Sequence, residues 1–363
     1  MKRKLLLFLS LAATVYIAKA QDATKPADPP LTISGSVDTY YKYDFSGHQN
    51  IPTSFATDQN SVSIGMIDLA LKKKVGKAAF VGELSFGPRG QEQSIPNGSL
   101  GTVPIFDNAG NPVPASGISA SSYHIQNLYV SYDVTDHLNL TAGFMSTFIG
   151  YEVIAPTGNF NYSTSYLFSA GPFQNAGFKA TYAFSDKVSL MAGIFNDNWN
   201  YYTAARDVST FGAQLMVAPV KGWTAYLNVA SGETSGTIFD LTTAYQVTDA
   251  FKLGLNAADY TSTHGDLGYN GAALYPQLAV SSDVTLGLRG EYFKVKNNGF
   301  TAVPSAGTSV MAYTLTANIK SGPLTFIPEV RLDNMSKNDY FTDSKHLPTK
   351  SASQFVLAAV YAF

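Results

Sequence analysis

Apolar and polar side chains alternate along much of the C-terminal half of the chain. Over residues 353–363 the odd positions are mostly large and apolar, whereas most even positions are small. Residues 324–333 and 312–320 repeat this period of two, with mainly apolar side chains on one face and Thr, Asn, Glu, Arg, Asp or Lys on the other. A period of two that continues for about ten residues predicts β-strands with one apolar and one polar face.

Four similar segments, 132–143, 182–193, 245–256 and 279–290, each carry Ser or Thr and Asp between two alternating stretches. The side-chain oxygens of these residues bond nearby backbone amides and favour turns. A Tyr or Phe precedes the turn in three of them. We interpret each segment as the short turn of a hairpin, with the aromatic residue in a girdle where membrane and water meet.

The same pattern, followed along the whole chain, predicts sixteen strands, with 14 and 18 as the neighbouring even alternatives. Short connections follow the even-numbered strands and longer ones follow the odd-numbered strands, as an up-and-down barrel with both termini on one side requires. The predicted strands are 32–44, 60–72, 77–87, 122–133, 137–147, 175–185, 187–196, 207–218, 222–231, 237–247, 250–261, 269–280, 283–294, 310–320, 323–334 and 352–363.

Composition favours a barrel in a membrane over a soluble β-sandwich or β-helix. Charged residues make up only 14% of the chain, against about 25% in ordinary globular domains. A soluble fold would carry Lys and Glu on its outward faces, whereas strands of about ten residues suit a tilted bilayer crossing. We therefore predict an all-β fold: a transmembrane antiparallel up-and-down β-barrel of about 16 strands (14–18), with short periplasmic turns and long extracellular loops. A barrel of this size is wide enough for an aqueous channel.

The N-terminal residues have the features of an export signal. Lys2, Arg3 and Lys4 precede a short apolar core, and Ala18 and Ala20 offer small residues for cleavage. We expect residues 1–20 to be a cleaved signal peptide, 21–31 a periplasmic linker and 32–363 the barrel, in a Gram-negative outer membrane.

Charge and cysteine content exclude several classes of protein. Without the four bases of residues 1–20 the formal net charge falls from −2 to −6, which argues against a nucleic-acid partner. The absence of cysteine excludes a lipoprotein anchor, disulfides and thiolate metal sites.

The C-terminal residues Phe355, Tyr361 and Phe363 share one face of the last predicted strand. They resemble the signal that the outer-membrane assembly machinery reads. The alternative is an ordinary final strand.

Four segments of the chain have a recognisable sequence. They are ISGSVDTYYKYDF (33–45), LYVSYDVTDHLNLTAGFMSTFIGYEV (128–153), NFNYSTSYLFSAGPF (159–173) and GFKATYAFSDKVSLMAGIFND (177–197). These segments resemble the OmpL-like Putative beta-barrel porin-2 family of Gram-negative outer membranes. The resemblance implies an outer-membrane channel and supplies no catalytic residues.

The long connection at 148–173 is the first candidate for function. It has seven aromatic residues, one acid and no base, and it lies where the third outer loop of general porins folds into the lumen. We expect it to form a constriction with Glu152, Tyr151, Phe160, Tyr162 and Tyr166. The alternative is a loop packed inside the wall, with Glu152 bonded to a neighbouring backbone group or base.

Charged residues on predicted lumen faces form a second candidate set. Facing charges would create a transverse field that tunes ion selectivity, whereas the alternative is cross-strand ion pairs that stiffen the wall. The set comprises Asp38, Lys42, Arg289, Glu291, Lys320, Glu329, Arg331 and Asp333.

We therefore expect a passive, water-filled porin for small hydrophilic solutes, narrowed by the loop at 148–173. The alternative is a barrel with a closed lumen whose surface loops act as adhesin, receptor or scaffold. None of the five histidines lies in a hydrolase or metal motif, so we expect no enzyme, cofactor or metal. The expected partners are outer-membrane lipid, the assembly machinery, small solutes and, by analogy with general porins, two further copies in a homotrimer.

Overall fold

The computed structural model describes residues 28–89, 105–106, 112–113, 125–196, 207–263, 267–296 and 305–363. The chain divides into residues 1–30 and a unit over 31–363 that contains the barrel. The predicted signal peptide and most of the predicted linker lie outside the described residues.

Sixteen antiparallel strands form one closed barrel, each paired with its sequence neighbour. The first and last strands pair from Ser36 with Ala362 to Asp44 with Gln354, which closes the ring. Every strand end lies within three residues of its predicted position, so the predicted fold class and strand number are confirmed. The strands are β1 (Thr32–Asp44), β2 (Ser61–Val75), β3 (Ala78–Phe86), β4 (Ile125–Asp133), β5 (Leu138–Ser146), β6 (Gln174–Ser185), β7 (Val188–Asn196), β8 (Val208–Val217), β9 (Trp223–Gly232), β10 (Gly236–Gln246), β11 (Phe251–Thr261), β12 (Gly268–Ala279), β13 (Val284–Val295), β14 (Ser309–Ser321), β15 (Leu324–Met335) and β16 (Ser351–Ala362).

The alternation along each strand separates an apolar outer surface from a polar interior. Val62, Phe239 and Leu315 point outward and are 82%, 61% and 60% exposed on the isolated chain. On β15, Phe326, Val330 and Leu332 likewise face outward, while the intervening polar residues are buried. The barrel thus has an apolar exterior suited to lipid, and its polar side chains face mainly inward.

The repeated Ser/Thr-Asp segments form the short turns, as predicted. Thr248 Oγ1 accepts the backbone N–H groups of Ala250 and Phe251, at 3.3 and 3.0 Å. Thr135 and Ser281 make the equivalent pairs of bonds in their turns, and Ser185 makes one. The hydroxyl-bearing residue, at the first position, is the one that holds these turns.

The longer connections lie at the opposite end of the barrel and include residues 45–60, 147–173 and 336–350. The connection between β9 and β10 is an exception at this end, because it has only three residues, 233–235. It is followed by Gly236, whose φ is +70°. Small ribbons pair Ile105–Phe106 with Pro112–Val113 and Phe341–Thr342 with Pro348–Thr349.

Two single turns of helix lie in the connection after β5. A 3-10 turn covers Pro156–Gly158 and α1 covers Tyr166–Ser169. Among the described residues, no helix has the length and apolar character that a membrane span requires.

A β-bulge between β1 and β2 frees one backbone N–H group to bond a side chain in the interior. The pairing passes from Val37–Ile67 to Thr39–Ile64, which leaves the Met66 amide outside the ladder. Asp38 Oδ1 accepts that N–H at 3.0 Å. The carboxylate occupies the space that a side chain at position 65 would need, so this site requires Gly65.

Candidate functional site: the inner loop and the lumen

Residues 147–173, here called the inner loop, fold into the barrel and bind its wall from β8 through β16 to β1. The polypeptide enters beside β8, where Gln214 Nε2 donates to the Phe148 carbonyl at 3.1 Å. Gly150 N–H then donates to Asp240 Oδ1 on β10 at 3.0 Å. The inner loop is not a strand of the barrel. These contacts with the wall are therefore side-chain to backbone hydrogen bonds, and not the backbone pairing of a β-ladder.

Wall carboxylates accept backbone N–H groups of the inner loop. Glu329 on β15 receives the amides of Tyr162 and Ser163, at 3.0 and 3.2 Å, and the Ser163 hydroxyl. The Tyr162 hydroxyl donates to Asp38 Oδ2 on β1 at 2.5 Å. This arrangement holds one turn of the loop between the first and the fifteenth strand.

The next turn of the loop is held in the same way. Glu291 on β13 accepts the amides of Tyr166 and Leu167, at 3.0 and 2.9 Å. The Tyr166 hydroxyl donates to Asp333 Oδ2 at 2.7 Å. Burial raises the pKa of the Tyr166 hydroxyl well above its usual range, and Asp333 adds to the shift, so this phenol stays a donor.

Two wall arginines bind the carbonyl groups of the same segment. Arg289 Nη1 donates to the Ser163 carbonyl at 2.6 Å, and Arg331 Nη1 donates to the Thr164 carbonyl at 2.8 Å. Arg331 also forms a two-bond ion pair with Asp333, at 2.8 and 3.0 Å. Both guanidinium groups are fully buried, and their charge is matched by adjacent carboxylates.

Glu152 is bonded on both oxygens and does not face open water. Oε1 accepts Arg289 Nη1 at 2.8 Å and the Tyr275 hydroxyl at 3.2 Å, while Oε2 accepts the Ser165 amide at 2.8 Å. The side chain is 6% exposed. Of the two roles considered from the sequence, this position corresponds to the anchor that pairs with a base.

Wall glycines provide recesses for the rings of the inner loop. The Tyr151 hydroxyl lies where Gly254 would carry a Cβ, and the Phe160 ring lies against Gly287 in the same way. Tyr151 also stacks on Tyr275, with ring centroids 4.5 Å apart. The predicted aromatic residues of the loop are therefore packed largely against the wall.

The predicted lumen charges all lie on inward-facing positions, but most are covered. Seven of them are no more than 1% exposed, since they lie beneath the inner loop or the outer connections. Lys320 differs because it lies at the short-turn end of β14 and is exposed. The seven are Asp38, Lys42, Arg289, Glu291, Glu329, Arg331 and Asp333.

The inner faces of β3 to β9, here called the open arc, include two charges that are not covered to this extent. Glu83 on β3 and Lys179 on β6 are partly exposed there. A cavity of about 190 Å³ adjoins Glu83, and one of about 450 Å³ adjoins Lys179. Residues Ser146 and Thr147 of the loop entrance line both cavities, which places the two charges on either side of it.

Sequence reasoning did not single out Glu83 or Lys179. The only available signal was alternation, because each lies on the polar face of a strand whose other face carries aromatic residues. That signal identifies inward-facing residues but does not show which of them the inner loop leaves uncovered.

The last strand supports ring closure. Phe363 exchanges two backbone hydrogen bonds with Gly35, both of 3.0 Å. Tyr361 and Phe363 are exposed on the outer surface, and Phe355 is partly buried on the same face. These positions agree with the predicted face, while recognition by an assembly machinery stays a prediction.

The family model described as Putative beta-barrel porin-2, OmpL-like, matches residues 30–363. The chain belongs to this family. It is accordingly an outer-membrane porin by family and fold. No curated protein matches the sequence.

Solved porin structures share the architecture of this porin. The anion-selective porin from Comamonas acidovorans is 14% identical, covers 92% of this chain and 99% of its own, and has a TM-score of 0.56. OmpF of Salmonella typhi, solved with daunomycin, is 11% identical over 92% and 97%, with a TM-score of 0.58. OmpT of Vibrio cholerae is 13% identical over 94% and 100%, with a TM-score of 0.54. At these identities the likeness concerns the fold alone.

The family is one of porins, which points to a channel. Among the described residues, no group of three or more His, Asp or Glu side chains is arranged to hold a metal ion. His48 and His346 stack between two outer connections, with ring centroids 4.4 Å apart, and His137 lies in a short turn. His124 and His264 lie outside the described residues.

Proposed function

We propose that this porin is a passive, water-filled channel for small hydrophilic solutes, narrowed by the inner loop. The observation that carries the proposal is the unequal burial of the interior. The charged inward-facing residues on β13, β15 and β1 are almost completely buried, whereas Glu83, Lys179 and Tyr226 on the open arc are partly exposed. A loop fixed to one side of a sixteen-stranded barrel leaves the other side for solvent.

The narrowest part of the channel is proposed to lie between the entrance of the inner loop and the open arc. Glu83 and Lys179 are then the charges that a passing ion meets, in place of the buried set predicted from the sequence. Glu83 accepts Asn127 Nδ2 at 2.5 Å, which holds its carboxylate against the wall. An acid and a base on the same arc, separated by the loop entrance, are proposed to set the field that a passing ion meets.

The closed-lumen alternative predicts a different role for the same loop. In that case the buried network would complete a plug, and function would depend on the outer connections. The two cavities that flank the loop entrance favour the open channel, because a complete plug would fill them with side chains.

Single-channel current through the refolded protein in a planar bilayer tests the proposal. Steady stepwise current whose step size rises linearly with voltage, at constant conductance, is expected for a passive pore. Absence of conductance from protein with verified β-sheet content and heat-modifiable gel mobility would reject the open channel and favour the closed barrel. A salt gradient across the same bilayer measures the sign of the selectivity.

Residues 1–20 are proposed to be a cleaved signal peptide, which mass spectrometry of the mature protein can check.

The oligomeric state is proposed by comparison with a solved structure. The solved OmpT of Vibrio cholerae is described in a trimer form. We extend that assembly to this porin, with light scattering of the detergent-solubilised protein as the test. Lipid and the assembly machinery remain the other proposed partners.

A further inference from the structure

Lys179 is a lysine inside the barrel whose ammonium has no carboxylate partner among the described residues. It lies on the inward face of β6, between the outward-facing Phe178 and Ala180, and it is partly buried. Other lysines with charged partners contrast with it: Lys74 pairs with Asp133 at 2.6 Å and Lys296 with Asp259 at 2.7 Å. No described residue forms a hydrogen bond or ion pair with Lys179.

The wall beside Lys179 carries two glycines against which aromatic rings pack. Across the ladder, Lys179 pairs with Gly193 on β7, and Gly193 pairs with Gly212 on β8. A Cβ at Gly193 would come within 2.6 Å of the Phe195 ring and 2.9 Å of the Lys179 Cβ, and a Cβ at Gly212 would come within 2.6 Å of the Phe148 ring. The rings of Phe148 and Phe195 therefore fill the wall next to the base of the lysine.

The cavity of about 450 Å³ that Lys179 lines has several polar groups and no acid in its wall. Thr224 and Tyr226 on β9 and Thr242 on β10 contribute hydroxyl groups, and Gln214 on β8 contributes an amide. Gln214 Nε2 is already used by the Phe148 carbonyl and by Asn228 Oδ1. Its Oε1 therefore remains as an acceptor for a donor in the cavity.

The inner loop completes the cavity on the side away from the wall. Thr147 supplies a further hydroxyl, and Phe148 and Tyr151 supply aromatic surface. Tyr151 is held by its stack on Tyr275. Aromatic surface combined with a few convergent polar groups and a volume of several hundred cubic ångströms is typical of small-molecule sites.

We infer that this cavity, here called the lysine chamber, is a binding station for small hydroxylated carboxylates such as sugar acids. The inference rests on the proposed channel function and assigns a solute class to it. The single ammonium matches one carboxylate, and the hydroxyl and amide groups match the hydroxyls of a sugar. A partly buried ammonium without a counter-ion gains more from an anionic solute than from a neutral one of the same shape.

Paired sugars of equal shape test the inference in a planar bilayer. Galacturonate is expected to interrupt the open-channel current, and galactose at the same concentration is not. Lys179→Gln should weaken the apparent affinity for galacturonate at least tenfold while the open conductance remains. Lys320→Gln removes a lysine that is exposed at the end of β14, and it should leave the affinity unchanged.

Calorimetric titration of the detergent-solubilised protein with galacturonate separates the two proposals. Binding that is lost in Lys179→Gln supports the chamber even if no conductance is found, in which case the channel proposal fails alone. Normal conductance with equal interruption by both sugars, or with galacturonate binding unchanged in Lys179→Gln, overturns the chamber and leaves the channel. Retained heat-modifiable mobility shows that each variant is folded.

Discussion

Glu152 is one of several side chains that fix the inner loop inside the barrel. Its oxygens accept three donors, from Arg289, Tyr275 and the Ser165 amide. Arg289 in turn binds two carbonyls of the inner loop. Removal of one member of a buried ion pair typically costs about 3–5 kcal/mol, because the other charge is left without compensation.

We predict that Glu152→Gln lowers the apparent unfolding temperature in heat-modifiable gel mobility and increases current noise through the open pore. The amide can still accept a bond from Arg289, but it no longer neutralises the guanidinium. Glu233→Gln is the matched control, because Glu233 is exposed in the turn between β9 and β10.

A double-mutant cycle with Arg289→Met then measures the coupling. Since Glu152 and Arg289 are in contact, the destabilisation of the double variant should be smaller than the sum of the two single effects. Strictly additive effects would show that the ion pair does not hold the loop.

At the scale of elements, the inner loop fits the wall because specific strands carry glycine where loop rings rest. Gly254 on β11 meets the Tyr151 hydroxyl and Gly287 on β13 meets the Phe160 ring, each closer than a Cβ would allow. Overpacking of a filled site typically costs about 1–3 kcal/mol. A methyl group at either position must displace the ring toward the lumen.

We predict that Gly254→Ala reduces single-channel conductance, because Tyr151 lies beside the larger cavity and would move into it. Gly82→Ala on β3 is the control, since a Cβ there would meet no atom within 4 Å. Unchanged conductance in Gly254→Ala, with β-sheet content retained, would place the narrowest part of the channel elsewhere.

At the scale of the whole molecule, the buried charges hold the inner loop against the wall. The partly exposed charges are the ones we expect to determine the electric field in the channel. Glu291, Glu329, Arg289 and Arg331 are bound to the inner loop or to each other, so an ion in the channel meets them only through other atoms. Glu83 lines a cavity beside the loop entrance. A nearby uncovered carboxylate attracts cations more strongly than one that is already paired.

We predict that Glu83→Gln shifts the reversal potential in a salt gradient toward anion preference. Asp186→Asn, in an exposed short turn, should shift it much less at 0.1 M salt, where charges about 10 Å apart are largely screened. An equal shift in both variants would mean that overall charge determines selectivity and that Glu83 has no special position.

The candidate site could be predicted only in part from the sequence. Period-two alternation correctly placed Arg289, Glu291, Glu329 and Arg331 on the inner face, because alternation reports direction relative to the sheet. It could not show that the inner loop covers them, since the contact of Glu152 with Arg289 joins residues 137 positions apart. Lys179 was overlooked for the same reason.

The sequence by itself determined the strands, their number and their turns. These features depend on local causes: alternation decides which face is apolar, and the Ser or Thr hydroxyl bonds amides two and three residues further on, as in Thr135. Only the tertiary structure decided which inward-facing charges support the inner loop and which face the open arc. Which charges are covered depends on the path of the inner loop, whose sequence has no regular alternation. That path is set by contacts such as that of Tyr166 with Asp333, 167 positions away in the chain.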